Sequence, residues 1–458
     1  MKKALIYFSW LLIGAGCSLD IPYDNQFSDP DAITTSTTGR ELLASAYSAL
    51  PNPGLDLAIL SDDFVSTYWA SRDPSIQNQY NWQPTAFHSL AQNLWPQYYE
   101  VVVRSNALLE RLPDITISSA ADLEEVTSLE AEARTLKAYC YFQLLRLFAP
   151  IPSEGLERDG IILKDQVLMA NLPRASVGQS LDEIRSELNI AINLGSTVSN
   201  RAWLTTDAST VLLAEVELYA GNYDKASQLA DGILQKYGYD TFGPSIYRNL
   251  WDSTTCDEQI FIFDSPTRSQ FYYNSIQYDA NMGDYFALST TIADSFESTD
   301  CRTEWTVVPY TSQTLGSVSF IGKYNLLRRN KREVSFVNKI RLSHALFTAV
   351  EAWCLSGQDT KAVEALNNFL SQRGSSTINT ALGGNALMQE ILWQKQKEFV
   401  GEGERYFDLK MYRNLLTLPS RIPQVDDYRW LWPLPREEYL YNDNASQNPG
   451  WPREVFNE

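Results

Sequence analysis

Residues 204–235 have the sequence pattern of two helices that fold back on each other. Thr205 or Thr206 can cap the first helix with its hydroxyl, and Gly221 can end it in the left-handed conformation that glycine adopts without strain. Asn222 is then placed to cap the second helix, whose apolar residues recur on one face with polar residues opposite. The first helix is apolar around most of its circumference. The stretch therefore predicts a helical hairpin with neighbours on more than one side.

A second stretch, residues 341–374, repeats this pattern in the same register, with Gly357 aligned to Gly221 and Ala362 to Ala226. A glycine at the turn and small residues where helices approach are typical of tetratricopeptide-like hairpins, which stack because no single unit buries its own apolar face. The alternative is two unrelated helical hairpins. The shared register favours an α fold: a tetratricopeptide-like helical-repeat superhelix with an irregular, loop-rich subdomain that contains a few short strands.

The N-terminus has the pattern of an export signal. Lys2 and Lys3 precede an apolar run over residues 4–13, which is too short for a stable membrane anchor, and small residues follow. Residues 13–17, Ile-Gly-Ala-Gly-Cys, resemble a bacterial lipobox, which implies cleavage before Cys17 and acylation of that residue. Acyl chains on Cys17 would hold the chain at a membrane, and the polar residues that follow predict an extended tether.

The remaining chain divides by its periodicity. Helices are predicted at 39–50, 94–112, 129–148 and 180–194, a strand at 259–263, a helix near 290–297, and further strands around Val307 and Phe320. Cys256 and Cys301 flank the loop-rich part, and either a disulfide or two free thiols fit their spacing. We expect a signal peptide at 1–16, a lipid-anchored tether at 17–38, and one body at 39–458, with helical hairpins at 39–236 and 337–412, a loop-rich insert at 237–336 and a packed tail at 413–458.

The charge balance narrows the possible partners. The chain has 37 Lys and Arg residues against 56 Asp and Glu residues, and its net charge is -19. A strongly acidic protein repels polyanions, so nucleic acid is not an expected partner. The 12 Trp and 25 Tyr residues exceed what a helical-repeat core needs, and they suit ligands or interfaces with apolar faces and polar edges.

Four motifs together make the chain resemble a known family. One joins Glu132, Ala133 and Arg134 to Ala138, Tyr139, Leu147 and Phe148, and the next joins the Arg-Ala-Ser-Val sequence at residues 174–177 to Ile184. The third consists of Glu398, Glu402, Gly403, Arg405, Asp408 and Leu409. The fourth consists of Leu434, Pro435, Glu438, Gln447, Asn448, Pro449, Gly450 and Trp451. With these motifs the chain resembles the SusD/RagB family of outer-membrane nutrient-binding lipoproteins over nearly all of its length from Cys17 to its C-terminus.

The sequence departs from the family pattern at several points. Ala149 stands where glycine is usual, Lys137 where arginine is usual, and Trp451 where tyrosine is usual. The chain is also shorter than typical members, mainly in loops, where the family binds its ligands. The resemblance therefore implies the fold and location more firmly than the ligand.

The resemblance implies a non-catalytic receptor on the outer membrane, exposed at the cell surface, that captures an oligosaccharide. It also implies delivery to a SusC-like TonB-dependent transporter. No cofactor or metal is expected, because the sequence has no HExxH motif, glycine-rich phosphate loop or cysteine-metal spacing. Two unusual loops are rich in aromatic residues, and rings on such loops can stack on sugars. The candidate glycan-binding residues are Trp69, Arg72, Asp73, Trp82, Tyr272, Tyr273 and Tyr278. The alternative for each aromatic residue is packing in the core.

Two other ligand classes and an enzyme remain alternatives. A peptide-binding receptor of the same architecture, or a tetratricopeptide-like scaffold that binds a protein chain, fits the same helical pattern. Adjacent acids such as Asp62 and Asp63 resemble the paired carboxylates of glycosidases, but acids are common on solvated loops and no other catalytic motif is present. Glu402, Glu404, Arg405 and Asp408 are expected to form charge pairs that tie their helix to the body, and His344 is expected to pack in the core.

Overall fold

The computed structural model describes residues 33–167, 170–252, 254–263, 285–323 and 336–452. The described part is mainly helical. Its helices in chain order are α1 Ser36–Ala49, α2 Gly54–Leu60, α3 Pro74–Tyr80, α4 Pro84–Arg111, α5 Ala120–Phe148, α6 Val177–Leu194, α7 Thr206–Tyr219, α8 Tyr223–Tyr237, α9 Pro244–Trp251, α10 Thr290–Ala293, α11 Arg302–Thr306, α12 Leu342–Leu355, α13 Asp359–Arg373, α14 Gly384–Phe399, α15 Glu404–Tyr412 and α16 Arg436–Tyr441.

The strands are short and pair in twos. They are β1 Phe64–Ser66, β2 Gln259–Phe263, β3 Phe286–Leu288, β4 Val307–Ser312, β5 Gly316–Ile321 and β6 Val337–Arg341. All three pairs are antiparallel: β1 with β3, β2 with β6, and β4 with β5. The predicted α fold with tetratricopeptide-like hairpins and a few short strands is confirmed.

The two predicted hairpins pack against each other. In the first, Thr205 caps α7 by accepting a hydrogen bond from the Ala208 N–H, and Gly221 has a φ of 85° between α7 and α8. Gly357 has a φ of 76° between α12 and α13. Helix α8 packs on α12, and Ala226 and Ala352 are fully buried where they meet. Small side chains therefore allow two distant hairpins to lie side by side.

The predicted cap at Asn222 is wrong. Its backbone lies at φ -88° and ψ 63°, outside the extended region that lets a cap side chain reach the first helical N–H groups. Its side-chain amide instead donates to Glu217 at 2.6 Å. Helix α8 therefore begins after the left-handed turn at Gly221 without a side-chain cap, and the Asn222 side chain bonds back to α7.

Several element boundaries differ from the sequence-based expectations, among them that of the helix expected from residue 129, which begins at Ala120. The helix expected from residue 94 begins at Pro84 and continues through Pro96, and the helix expected to reach residue 297 ends at Ala293. The aromatic loop expected between the first two long helices contains β1 and α3. Cys256 and Cys301 are free thiols in the described structure.

The C-terminal tail is tied to the helices by one arginine and one asparagine. Arg174 donates to the Phe148 carbonyl at 2.9 Å and to the Asn448 amide oxygen at 2.7 Å. The Asn448 amide nitrogen in turn donates to the carbonyls of Phe148 at 2.8 Å and Trp432 at 2.6 Å. Residues from three of the sequence motifs thus meet at the end of α5, where they hold the C-terminal tail against the helices. Their role is therefore structural.

Candidate functional site

Two aromatic rings are exposed side by side on the loop between β1 and α3. Tyr68 is 49% exposed and Trp69 is 39% exposed. Their ring centroids lie 5.2 Å apart with the planes at 72°. Arg72 donates to the Tyr68 hydroxyl at 3.0 Å, and Val65 is also exposed. We call Val65, Tyr68, Trp69 and Arg72 the aromatic patch.

Local structure turns these side chains outward. Alternation along β1 buries Phe64 and exposes Val65, and the Thr67 N–H donates to the Tyr285 carbonyl at 2.9 Å, which continues the pairing with β3. A short 3-10 turn then buries Ala70 and leaves Trp69 and Arg72 on the surface. The site residues predicted from the sequence omit Val65 and Tyr68, although the apolar alternation of a short strand was a signal for Val65.

Asp73, next to the aromatic patch, caps the helix that follows it. One of its carboxylate oxygens accepts hydrogen bonds from the N–H groups of Ser75 at 3.0 Å and Ile76 at 3.3 Å, which caps α3. The half-buried carboxylate therefore fixes the end of the aromatic loop. Its other oxygen is not used in this cap.

The predicted ligand contact at Trp82 is wrong, because the side chain is 0% exposed. Its ring lies 4.7 Å from the Trp430 ring, 5.3 Å from Phe87 and 5.7 Å from Tyr406, and its indole N–H donates to the Leu60 carbonyl at 2.8 Å. Neighbouring rings enclose the indole, and its polar edge is hydrogen-bonded. The remaining candidates Tyr272, Tyr273 and Tyr278, and the lipidation candidate Cys17, lie outside the described residues.

Two adjacent acids anchor the aromatic loop to the C-terminal helices. Arg405 makes two hydrogen bonds to the Asp62 carboxylate, at 2.7 and 2.9 Å. Asp63 is fully buried and accepts from the Gly401 N–H at 2.9 Å and from the Gln396 side chain at 3.2 Å. Burial raises the pKa of Asp63 to about 7, and the neighbouring Asp62 adds to this effect. Both carboxylates hold structure rather than flank an open cleft.

An ionic cluster lies buried between the strands and the helical hairpins. Arg341 contacts Glu258 and Glu398 at 2.8 Å and Glu402 at 2.9 Å, and Arg373 contacts Glu258 at 3.0 Å and Glu398 at 2.8 Å. Burial opposes ionisation of Glu398, but the surrounding arginines outweigh it and hold its pKa well below the usual range. The further members are Arg302, Asp300 and Lys323.

The charge pairs expected around the third motif are present, but with partners elsewhere in the fold. Glu402 pairs with Arg341, Arg405 with Asp62, and Asp408 with Lys395 at 2.7 Å. The Glu402 and Arg405 pairs join the α14–α15 region to β6 and to the loop before β1, and the Asp408 pair joins α15 to α14. The expected tie between this helix and the body is confirmed.

His344 packs in the core, as expected. Its Nδ1 accepts from the Arg341 N–H at 3.0 Å, and its ring lies 4.4 Å from Phe399. Burial, together with the Arg341 charge, lowers the pKa of His344 well below its ordinary value. The imidazole is therefore neutral and serves packing.

Comparison with known proteins gives consistent matches along the chain. A family model for SusD-like proteins, described as starch-binding and associating with the outer membrane, matches residues 26–218. A SusD-like protein of Formosa agariphila is 20% identical, and the alignment covers 94% of each chain. The chain is therefore similar to SusD-like proteins along most of its length.

Solved SusD-like structures share the fold. A SusD superfamily protein from Bacteroides vulgatus superposes with a TM-score of 0.77 and 21% identity, over 92% of this chain and 100% of that one. A laminarin-binding SusD-like protein superposes with a TM-score of 0.71 and 19% identity, over 91% of this chain and 100% of that one. Within the described ranges, no helix has both the length and the apolar character that a membrane crossing requires.

Proposed function

We propose that this SusD-like protein is a non-catalytic, lipid-anchored receptor that captures oligosaccharides at the cell surface and delivers them to a TonB-dependent outer-membrane transporter. The observation that carries the binding step is the aromatic patch. The resemblance of most of the chain to the SusD/RagB family supports the proposed delivery, and the lipobox-like residues before Cys17 support the proposed anchor. The laminarin-binding relative makes a glucan the first ligand to test.

The chemistry of the aromatic patch suits a sugar. A sugar ring presents an apolar face of C–H groups and an edge of hydroxyls, and an aromatic ring beside a hydrogen-bond donor complements both. Trp69 supplies an open ring, while the Arg72 guanidinium and the Tyr68 hydroxyl supply polar groups next to it. The aromatic ring and the hydrogen-bond donors therefore lie within one short turn of the chain, where a single sugar unit can contact both.

Anchoring prepares the patch for binding. The loop carries the patch between the Asp62–Arg405 pair on one side and the Asp73 cap on the other. Arg421 adds a bond to the Tyr80 carbonyl at 2.8 Å and another to the Ser61 carbonyl. A loop fixed before binding loses less conformational entropy when ligand arrives, which favours affinity.

The carboxylates nearest the patch support a binding role. Glycoside hydrolysis needs two carboxyl groups on opposite sides of the scissile bond. Asp62 and Asp63 both face the α14–α15 region and are occupied there, and Asp73 caps α3. We expect incubation of the purified protein with mixed polysaccharides to release no new reducing ends, and the release of such ends would contradict a purely binding role.

Affinity electrophoresis against neutral polysaccharides, beginning with laminarin, tests the binding step. We expect Trp69→Ala to weaken retention by the best ligand at least about tenfold, which corresponds to roughly 1.4 kcal/mol. Ile117→Ala removes an exposed apolar side chain elsewhere and should bind like the wild type. Equal retention of wild type and Trp69→Ala on every polysaccharide would contradict the proposed site.

The anchoring and delivery steps have separate tests. Cys17→Ala should abolish labelling by a fatty-acid analogue and release the protein from the outer-membrane fraction. Crosslinking in cells that express the wild type should recover a TonB-dependent transporter. Membrane retention of Cys17→Ala, or crosslinked material without a transporter, would contradict the corresponding step.

A further inference from the structure

A second concave surface lies between α4 and α16, and its lining shares no residue with the aromatic patch. Its volume is about 670 Å³, and it is lined by parts of α4, α16 and the segments around residues 164 and 171. Clefts of roughly 300–1,000 Å³ are typical of small-ligand sites. We propose that this cleft is a second saccharide-binding site, specific for neutral sugar units.

The helical walls of the cleft are held by hydrogen bonds inside the protein. The Trp95 indole N–H on α4 donates to Glu438 on α16 at 3.0 Å. The Tyr99 hydroxyl donates to the Ile162 carbonyl at 2.8 Å and accepts from the Ile162 N–H at 3.0 Å. These bonds fix α4 relative to both neighbouring walls.

The loop walls are fixed in the same way. The Tyr141 hydroxyl bonds to both the N–H and the carbonyl of Lys164, at 2.7 and 2.6 Å. Asn442 donates to the Leu172 carbonyl at 2.9 Å, and Asn444 donates to the Asn171 carbonyl at 2.7 Å. The cleft therefore has its shape before any ligand enters, which lowers the entropic cost of binding.

Three other side chains at the cleft do not take part in the hydrogen bonds that hold its walls. Tyr441 is 73% exposed. Among the residues that the structure describes, the Tyr441 hydroxyl, the Lys164 ammonium and the Glu437 carboxylate form no hydrogen bond or ion pair. The cleft thus combines rigid walls with an exposed ring, a free donor and a free acceptor.

This combination selects the class of ligand. The Tyr441 ring can stack on the apolar face of a sugar, while Lys164 donates to sugar hydroxyls and Glu437 accepts from them. Glu100, Glu437 and Glu438 outnumber Lys164 in the lining, so uronic-acid or sulfated sugars are repelled. Neutral sugar units satisfy both conditions.

Hydrogen–deuterium exchange with defined oligosaccharides locates the site. The probes are maltohexaose, laminarihexaose, xylohexaose and mannohexaose, with hexagalacturonate as the anionic probe. With at least one neutral hexasaccharide, we expect slower exchange in peptides covering residues 162–172 and 436–442. Hexagalacturonate should leave these peptides unchanged. No protection there with any neutral probe, or equal protection with the anionic probe, overturns the proposal.

Variants separate this cleft from the aromatic patch. Tyr441→Ala should weaken cleft protection at least tenfold in apparent affinity, while Tyr441→Phe, which keeps the ring, should retain it. Trp69→Ala should leave cleft protection unchanged and lose only the protection at residues 64–80. If Tyr441→Ala protects the cleft peptides like the wild type, the second site is wrong whatever happens at Trp69. If Trp69→Ala leaves protection at residues 64–80 intact, the primary site fails while the cleft stands.

Discussion

Trp69 and Trp82 lie in the same short stretch of chain, and the fold gives them opposite environments. Trp69 belongs to an exposed patch with Tyr68 and Arg72. Trp82 is enclosed by aromatic rings, among them Tyr406 and Trp430 from the C-terminal part. The same residue type is therefore open to a ligand in one region and packed in the core in the other.

The difference teaches what makes an aromatic residue available to a ligand. The Trp82 indole donates its N–H to the Leu60 carbonyl, and its ring packs against other aromatic rings. Trp69 touches Tyr68 edge-on and keeps much of its surface in water. A buried ring is expected to stabilise the fold more than an exposed one, because more of its apolar area is removed from water.

Removal of the buried ring should have the largest effect. We expect Trp82→Ala to lower the free energy of unfolding by about 3–5 kcal/mol, because it leaves a cavity among packed rings. Urea denaturation followed by circular dichroism measures the change. Trp69→Ala is the matched control and should cost less than about 1 kcal/mol. Equal losses in the two variants would remove the distinction between the regions.

Disruption of the anchor should have the next largest effect. We expect Arg405→Ala to destabilise the fold by about 2–4 kcal/mol, because Asp62 loses its partner in a poorly solvated position. Arg405→Lys keeps the charge but not the paired geometry, so its loss should be smaller. Glycan affinity should also fall in Arg405→Ala without any loss of a ligand contact. Full affinity in that variant would show that the patch does not depend on this anchor.

The buried Asp63 should give the protein a pH-dependent stability. Its folded pKa of about 7 is above the ordinary value, so the folded state binds the proton more tightly, and this group's contribution to stability falls as pH rises from about 4 to 7. Between about pH 5.5 and 7.5 the loss should be about 2 kcal/mol. Asp63→Asn cannot ionise, so its urea midpoint should decline less over this range. Parallel declines in both proteins would contradict the assignment.

Loss of the polar neighbour in the patch should have the smallest effect. We expect Arg72→Ala to weaken glycan binding about threefold, below about 1 kcal/mol, since one solvent-exposed donor contributes little net free energy. Thermal unfolding should be unchanged. Arg111→Ala, at another partly exposed arginine, is the matched control for calorimetric titration. A larger loss than in Trp69→Ala would make hydrogen bonding, rather than stacking, the main source of affinity.

The helical hairpins could be predicted because their signals are local. Gly221 and Gly357 end helices through their own backbone freedom, and the apolar faces follow a period within one helix. The Arg405 and Asp408 positions were recognised through a motif, although their partners Asp62 and Lys395 were not visible in it.

The environment of each aromatic residue could not be predicted, because it depends on distant parts of the chain. Trp82 is covered by Trp430 and Tyr406, and β1 is placed by pairing with β3 at residues 286–288. The cleft beside Tyr441 is likewise formed by α4 and α16, which are far apart in sequence. Local periodicity contains no information on these contacts.

The most direct test of the central claim is a paired measurement on Trp69→Ala. Calorimetric titration with the neutral glycan that the wild type binds best is combined with urea denaturation of the same preparations. We predict an affinity loss of at least about tenfold at the patch, with the free energy of unfolding within about 1 kcal/mol of the wild type. Unchanged affinity, or a loss of affinity that appears only together with unfolding, would contradict a recognition role for the exposed ring.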